Sequence, residues 1–269
     1  MNIKLSVIIP SYKDKYLPKT INSLLENSAL REQLEIIVCL DGYWLSPELI
    51  VQDPRVRYVH LGKNRGMRGA INAGVAVSRG EFIARSDEHI MFGPGWDKIL
   101  TDSCKDNWIM TAKRFYLNPV EWKLMDLPPV ECEKLVIQDC GNGVRKFAGQ
   151  KWDSRAKELK DMPIIESMAM QGSFWCMSRE HWDSVIGELQ SDGYGPLYGD
   201  SHEMIFKTWK AGGKLMVNKN MWFAHKHRSF SRTHADGTPE NPADKINGWK
   251  YAMDTWGGYY EEIKKKWNI

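Results

Sequence analysis

The 269 residues carry 37 Lys and Arg against 34 Asp and Glu, a formal charge of +3, with 42% hydrophobic and 11% aromatic content. That mix excludes a disordered or fibrous chain, and the length lets one large or two small domains bury about three quarters of their unfolded surface. No apolar run approaches the ~20 residues needed to cross a bilayer, and the opening MNIKLSVIIPSYKDK is too short in apolar residues for a secretion signal. Cys39, Cys104, Cys132, Cys140 and Cys176 are scattered, with no CxxC pair. They argue against a disulfide framework or a cysteine zinc site, so a cytoplasmic location is expected.

Lys4 to Pro10 (KLSVIIP) is a β-branched run closed by Pro and reads as a strand buried on both faces. Leu17 to Leu25 has Ile21, Leu24 and Leu25 at helical spacing, and Leu34 to Leu40 (LEIIVCL) is a second buried strand ended by Asp41-Gly42. Together they predict a βαβ unit. Val56 to Leu61 follows as a third strand, Met67 to Val77 as a helix of small residues, and Glu81 to Ala84 as a fourth strand running into Ser86-Asp87-Glu88-His89. Strands alternating with helices predict an open α/β sheet. Such sheets bind ligands at the carboxyl ends of their strands, here Pro10-Ser11-Tyr12, Asp41-Gly42 and Asp87-Glu88-His89.

From Trp108 to Met162 no period is visible, and the segment reads as irregular and acceptor-facing. Order returns at Ala169 to Met177, then a helix near Arg179 to Ile186, the Gly-rich turn DGYGPLYG, a helix near Ser201 to Lys210 and a strand near Lys214 to Val217. Ala243 to Trp267 again has helical spacing. No internal repeat or linker marks an independent second domain.

The tripeptide Asp87-Glu88-His89 offers a carboxylate and an imidazole two residues apart that can chelate one cation, although a solvated turn would look the same. His225, in His225-Lys226-His227-Arg228, could add a second imidazole. One carboxylate with two imidazoles suits Mn²⁺ or a similar divalent ion, while histidines in a basic surface loop are the plainer reading. Lys207, Lys210, Lys214, Lys219, Lys226, Arg228 and Arg232 come with no acid between Met204 and Ala235. They form either a positive face for a polyanion or a solubilising helix face. Asp200 and Glu203 have the spacing of a capping box, and Asp200 could alternatively deprotonate an attacking hydroxyl.

Taken together, LSVIIPSY, CLDG, NRGMRGAINAGVAVSRGEFIARSDEH and GDSHEMIFKTWKAGGKL resemble nucleotide-sugar glycosyltransferases of the GT-A fold, family-2-like. Within these the sequence is most similar to polypeptide N-acetylgalactosaminyltransferases and related bacterial and viral enzymes, which carry Asp-x-His for the commoner Asp-x-Asp. The resemblance implies a Rossmann-like, mostly parallel central sheet flanked by helices. It divides the chain into a GT-A domain over 1–227, with a nucleotide-sugar half at 1–100 and an acceptor half at 101–227, and a helical C-terminal extension over 228–269.

It also implies that Asp87, His89 and His225 hold Mn²⁺ or Mg²⁺. Pro10, Ser11, Tyr12 and Asp41 would line the nucleotide of a UDP-sugar, with Asp87 contributing to donor binding and Asn64, Gly66 and Arg68 shaping the donor pocket. Gln171-Gly172-Ser173 would lie beneath the sugar and Asp200 near the reacting carbon. The departures are the family's Trp, replaced around Leu197-Tyr198, and Asp200 standing for Glu. The implied activity is transfer of a sugar to a hydroxyl acceptor. A hydroxymethylated base in viral DNA is narrowly preferred over a glycan, a lipid-linked sugar, a small molecule or a protein. The rivals are a non-catalytic binding module and a nucleotidyltransferase, and the latter lacks its GxGxR phosphate loop here.

Overall fold

The structure is a computed structural model that describes residues 2–195, 197–227 and 242–269. The first half is β1 (Leu5–Ser11), α1 (Leu17–Glu26), β2 (Leu34–Asp41), β3 (Val56–Leu61), α2 (Gly66–Ala76), β4 (Phe82–Ser86), β5 (Ile90–Phe92) and α3 (Trp96–Ser103). The second is β6 (Trp108–Asn118), β7 (Lys123–Leu124), β8 (Glu133–Asp139), β9 (Arg145–Lys151), α4 (Asp153–Glu158), β10 (Ile164–Glu166), β11 (Phe174–Ser178), α5 (Arg179–His181, continuing as a π-helical turn to Ile186), α6 (Asp200–Lys210), β12 (Lys214–His225) and α7 (Pro242–Trp267).

One twisted sheet runs β10-β12-β6-β11-β4-β1-β2-β3, with β5 paired to β12 and β7 to β6. Among the described residues, β1 is parallel to both β2 and β4, β3 to β2, and β12 to β6, whereas β11 lies antiparallel between β4 and β6. Alternate residues of one strand feed opposite cores, as the pleat requires. Leu5, Val7 and Ile9 of β1 pack with α1 and α3, while Ile8 packs with α2, α6 and α7. The result is three layers, a mixed α/β single domain. All eight residues of β2 are buried, which explains its unbroken apolar run.

Small residues in α2 have a direct packing cause. A Cβ on Gly74 would lie 2.4 Å from Ile8 Cγ2 and 2.8 Å from Cys39 Sγ, so only glycine lets α2 sit this low on β1 and β2. α1 starts with Pro at its first turn and turns Leu17, Ile21 and Leu24 inward.

Three expectations are corrected. The segment 108–162 contains a long, partly buried strand at the heart of the sheet, β6, and the antiparallel hairpin β8–β9. The strand expected over 214–217 continues to His225, with a register shift between Asn218 and Trp222. The C-terminal helix is packed into the body: Ala252, Trp256, Tyr260 and Ile263 belong to the same apolar cluster as α2 and α6. The expected boundary at 227/228 falls at the edge of residues 228–241, which lie outside the described set together with Arg228 and Arg232.

Candidate active site at the carboxyl ends of the strands

β1, β2 and β4 are parallel, so Ser11, Asp41 and Ser86 end on one edge of the sheet. β12 runs parallel to β6 and brings His225 to the same edge, paired antiparallel with Ile90 of β5. The chain leaves β4 at Ser86 and re-enters β5 at Ile90. That break lets Asp87 and His89 point toward a common centre.

Asp87, His89 and His225 each offer a ligand atom, and these atoms lie within 4.8 Å of one another. His225 Nε2 is 3.2 Å and His89 Nε2 3.9 Å from Asp87 Oδ2, and the imidazole centroids are 5.0 Å apart. Both Nε2 atoms are buried without a hydrogen-bond partner. A buried polar atom left unpaired costs about 1–3 kcal/mol, so two aimed at one carboxylate argue that something else is meant to sit between them. The donor set, one carboxylate and two imidazoles, fits a borderline divalent ion. The residues present therefore fit the metal that the sequence implies.

Local electrostatics hold Asp87 ionised and His225 neutral, the states in which each could take a metal. Burial works to raise the Asp87 carboxyl, but the Arg85 guanidinium at 2.6 Å and then the two imidazoles outweigh it, holding the group well below the usual carboxylate range. Burial pushes His225 down to about 3, so its ring stays neutral. His89 is oriented from behind, its Nδ1 lying 2.8 Å from Asp14 Oδ2. With Nδ1–H donating to that carboxylate, the lone pair falls on Nε2, facing Asp87.

Asp200 settles the capping question. It is the first residue of α6, the cap position is Gly199 at φ +68°, and no side chain caps the helix. Glu203 turns away to pair with buried Arg68 and with Lys207 at 2.8 Å. Asp200 is 7% exposed and its Oδ2 has no hydrogen-bond partner. Gly172 backs directly onto it, since a Cβ there would stand 3.0 Å from Oδ2. The next residue, Ser173, accepts the Asp87 backbone N–H at 2.9 Å through its carbonyl. The segment Gln171-Gly172-Ser173 thus runs between the Asp200 carboxylate and Asp87.

The other expected donor-site residues gather here in differing roles. Ser11 Oγ contacts Glu88 Oε1 at 2.5 Å and Tyr43 Oη, and Glu88 Oε1 also accepts the Tyr12 N–H at 3.0 Å. Pro10, Ser11 and Tyr12 therefore border the break in β4–β5. Asp41 accepts the Arg65 N–H at 2.6 Å, and Asn64 donates to the Asp41 carbonyl at 3.1 Å. These bonds fold the 64–66 turn, where α2 begins at Gly66, against the end of β2. Arg68, expected to shape the donor pocket, lies behind the site rather than at its surface. It is fully buried, donates to the carbonyls of Tyr198 and Gln190 at 2.6 to 2.8 Å, pairs with Glu203 and stacks 4.3 Å over Tyr194. It ties Gln190 and Tyr198 to α6 and so places Asp200. Asp14, Arg85, Glu88 and Gly172's contact with Asp200 are roles that the spacing does not announce, because each depends on a tertiary neighbour.

The glycosyl transferase family 2 pattern matches residues 6–157, more than half of the chain. The chain belongs to glycosyl transferase family 2. Two curated family relatives are Polypeptide N-acetylgalactosaminyltransferase 4 and Polypeptide N-acetylgalactosaminyltransferase 12 of Mus musculus, each 24% identical, over 79% and 86% of this chain. The matches cover 38% and 42% of those proteins, so this family 2 chain spans about two fifths of their length. Among solved structures, GalNAc-T7 with UDP, GalNAc and Mn²⁺ aligns over 97% of this chain and 50% of its own, at TM-score 0.73 and 16% identity. S. aureus TarS 1–349 aligns over 83% and 60%, at TM-score 0.57 and 13% identity. These likenesses show the GT-A fold, as the sequence predicted.

Proposed function

We propose that this family 2 chain is a metal-dependent glycosyltransferase that moves a sugar from a UDP-sugar to a hydroxyl acceptor. The observation that carries the reading is the pair of unpartnered buried Nε2 atoms of His89 and His225 facing Asp87, beside a second buried carboxylate oxygen, on Asp200, that is also unpartnered. Support comes from the structural neighbour whose crystals hold UDP, GalNAc and Mn²⁺ and from the two N-acetylgalactosaminyltransferase relatives.

In the reaction the bond between the anomeric carbon and the UDP oxygen breaks, the electron pair leaves with UDP, and the acceptor oxygen forms the new bond while losing its proton. Mn²⁺ or Mg²⁺, when bound, supplies positive charge against the departing pyrophosphate. Asp87, His89 and His225 would hold it. Pro10, Ser11, Tyr12 and Asp41 would line the nucleotide, with Asn64 and Gly66 setting the wall beside Asp41. Asp200 would face the reacting carbon and take the proton of the attacking hydroxyl. Gly172 leaves room above that carboxylate where any larger residue would cover it.

The DNA acceptor expected from the Met204–Ala235 basic run loses its support. Lys207 pairs with Glu203, Lys214 lies 3.8 Å from Glu166, and Lys219 donates to the carbonyls of Leu159 and Lys160. These three lysines of the run are thus engaged with separate intrachain partners.

Calorimetric titration of UDP in the presence of Mn²⁺, paired with donor turnover, tests the assignment. His225→Ala is expected to abolish the Mn²⁺-dependent part of UDP binding while the protein stays folded. Asp200→Asn is expected to keep that binding and lose transfer. Metal-dependent binding that persists in His225→Ala removes the triad, and normal transfer by Asp200→Asn removes the base.

A further inference from the structure

Nine large apolar side chains stand exposed among the described residues, and four of them fall within one eight-residue span: Val120 (82%), Leu124, Met125 and Leu127. Their concentration matters more than their number, because isolated exposed apolar residues are ordinary and a cluster is not. The span is a hairpin, since Leu117 and Asn118 at the end of β6 pair with Leu124 and Lys123 of β7. Tyr116 of β6 lies in register with His225, so the hairpin projects beyond the edge of the sheet that carries the metal triad.

The base of the hairpin is aromatic and cationic. Tyr16 stacks on Trp122 with ring centroids 6.2 Å apart. Lys19 lies 5.3 Å over Trp122, and Lys15 and Lys226 lie 5.3 and 5.2 Å over Tyr16. Lys13 and Lys123 are exposed nearby in the chain, against the exposed acids Glu121 and Asp126 of the hairpin itself. Aliphatic tips, an aromatic pair behind them and lysines around both is the arrangement that seats in a headgroup layer. The apolar groups enter the acyl boundary, the rings sit at the interface, and the ammonium groups meet anionic lipid.

We propose that the 119–128 hairpin and the lysines around Tyr16 and Trp122 dock this protein on an anionic lipid surface. Docking is peripheral: no described helix is long and apolar enough to cross a membrane. The catalytic edge then faces the lipid. Resting on the transferase reading, this narrows the acceptor to a hydroxyl compound held at a membrane surface.

Co-sedimentation of the full chain with vesicles tests the surface without donor or metal. One set of vesicles is pure phosphatidylcholine and the other carries phosphatidylglycerol as well. Binding is expected to the phosphatidylglycerol vesicles, to weaken as salt rises, and to be at least about tenfold weaker in Val120→Asp/Leu127→Asp, where charge replaces the apolar tips. Val77→Asp, an exposed apolar site at the far end of α2, is expected to bind as the parent does. Three results overturn the proposal. The first is no sedimentation with anionic vesicles at low salt. The second is equal binding by the double variant. The third is concentration-dependent self-association, in analytical ultracentrifugation, that the double variant loses, which would assign the hairpin to a second copy of the chain. Calorimetric UDP binding in the presence of Mn²⁺, measured on the same proteins, shows separately whether the transferase reading stands.

Discussion

Asp14 lies outside the Asp-x-His motif, yet its contact with Nδ1 would leave Nε2 as the ligand nitrogen of His89 in the proposed metal site. Its carboxylate lies 2.8 Å from Nδ1 and can accept the Nδ1–H hydrogen bond, and without it the ring is free to rotate or change tautomer. Removing a carboxylate behind a metal-bound histidine typically lowers metal affinity about 10–100-fold. Asp14→Ala is therefore expected to weaken Mn²⁺ binding by about that factor in a direct calorimetric titration. Asp14→Asn, which keeps an acceptor oxygen, should recover much of the loss. Unchanged Mn²⁺ affinity in Asp14→Ala would show that His89 is held by its packing alone. At this scale the sequence displays the candidate ligands and conceals their supports. Asp87, His89 and His225 are residue types with few other reasons to be buried together. Arg68 reads as a pocket residue, but its guanidinium is spent on the Tyr198 and Gln190 carbonyls. The Asp200–Glu203 spacing misleads as well, since Glu203 is claimed by Arg68 and leaves the cap to Gly199.

At the scale of elements, legibility follows burial. β1 and β2 are covered on both faces, so their apolar runs are uninterrupted, and α1 shows one apolar stripe. β6 is as central but carries Lys113 and Arg114, whose charges are met by Glu131 and Glu133 across the chain. Those partners are invisible in a local window, and the strand reads as irregular. α7 was legible as a helix but not as a wall of the core. Its Trp256 stacks on Phe206 at 5.2 Å and donates to Tyr194 Oη, while Tyr260 donates to the Leu135 carbonyl at 2.7 Å. Tyr194 in turn underlies Arg68, so α7 braces the turn leading to Asp200. Trp256→Ala is expected to cost about 3–5 kcal/mol in denaturant unfolding. It should also lower transfer more than UDP binding, because the loosened part is the Asp200 side. A variant that unfolds early but transfers normally when folded would separate α7 from the active site.

For the whole molecule, the mostly local α/β rhythm of the first hundred residues is enough to predict the class and the sheet edge on which Asp87, His89 and His225 gather. The antiparallel insertion of β11 between β4 and β6 is a long-range pairing with no periodic signature, and it is this insertion that brings 171–173 under Asp87. The buried histidines away from the metal triad set a global pH response. Burial lowers His181, which is bonded to Thr208 at 2.8 Å, and pushes partly buried His202 down to about 4 from its ordinary 6.5. Both are neutral in the folded chain, whereas the unfolded chain takes up these protons below about pH 6.5. Stability from this source is thus complete above that pH and is lost progressively as pH falls toward about 4. Unfolding midpoints in metal-free buffer should fall over that window, and His202→Gln should flatten the fall. A profile that is level from neutral to acid pH would contradict the burial of these rings.

The central claim is a donor site completed by a divalent ion at Asp87, His89 and His225. Thermal unfolding with UDP alone, Mn²⁺ alone and both together tests it most directly. A ligand at about 100 times its dissociation constant adds about 2.7 kcal/mol to stability. A midpoint increase is expected that requires UDP and Mn²⁺ together and vanishes in His225→Ala. No increase with the pair, or the same increase in His225→Ala, would contradict it.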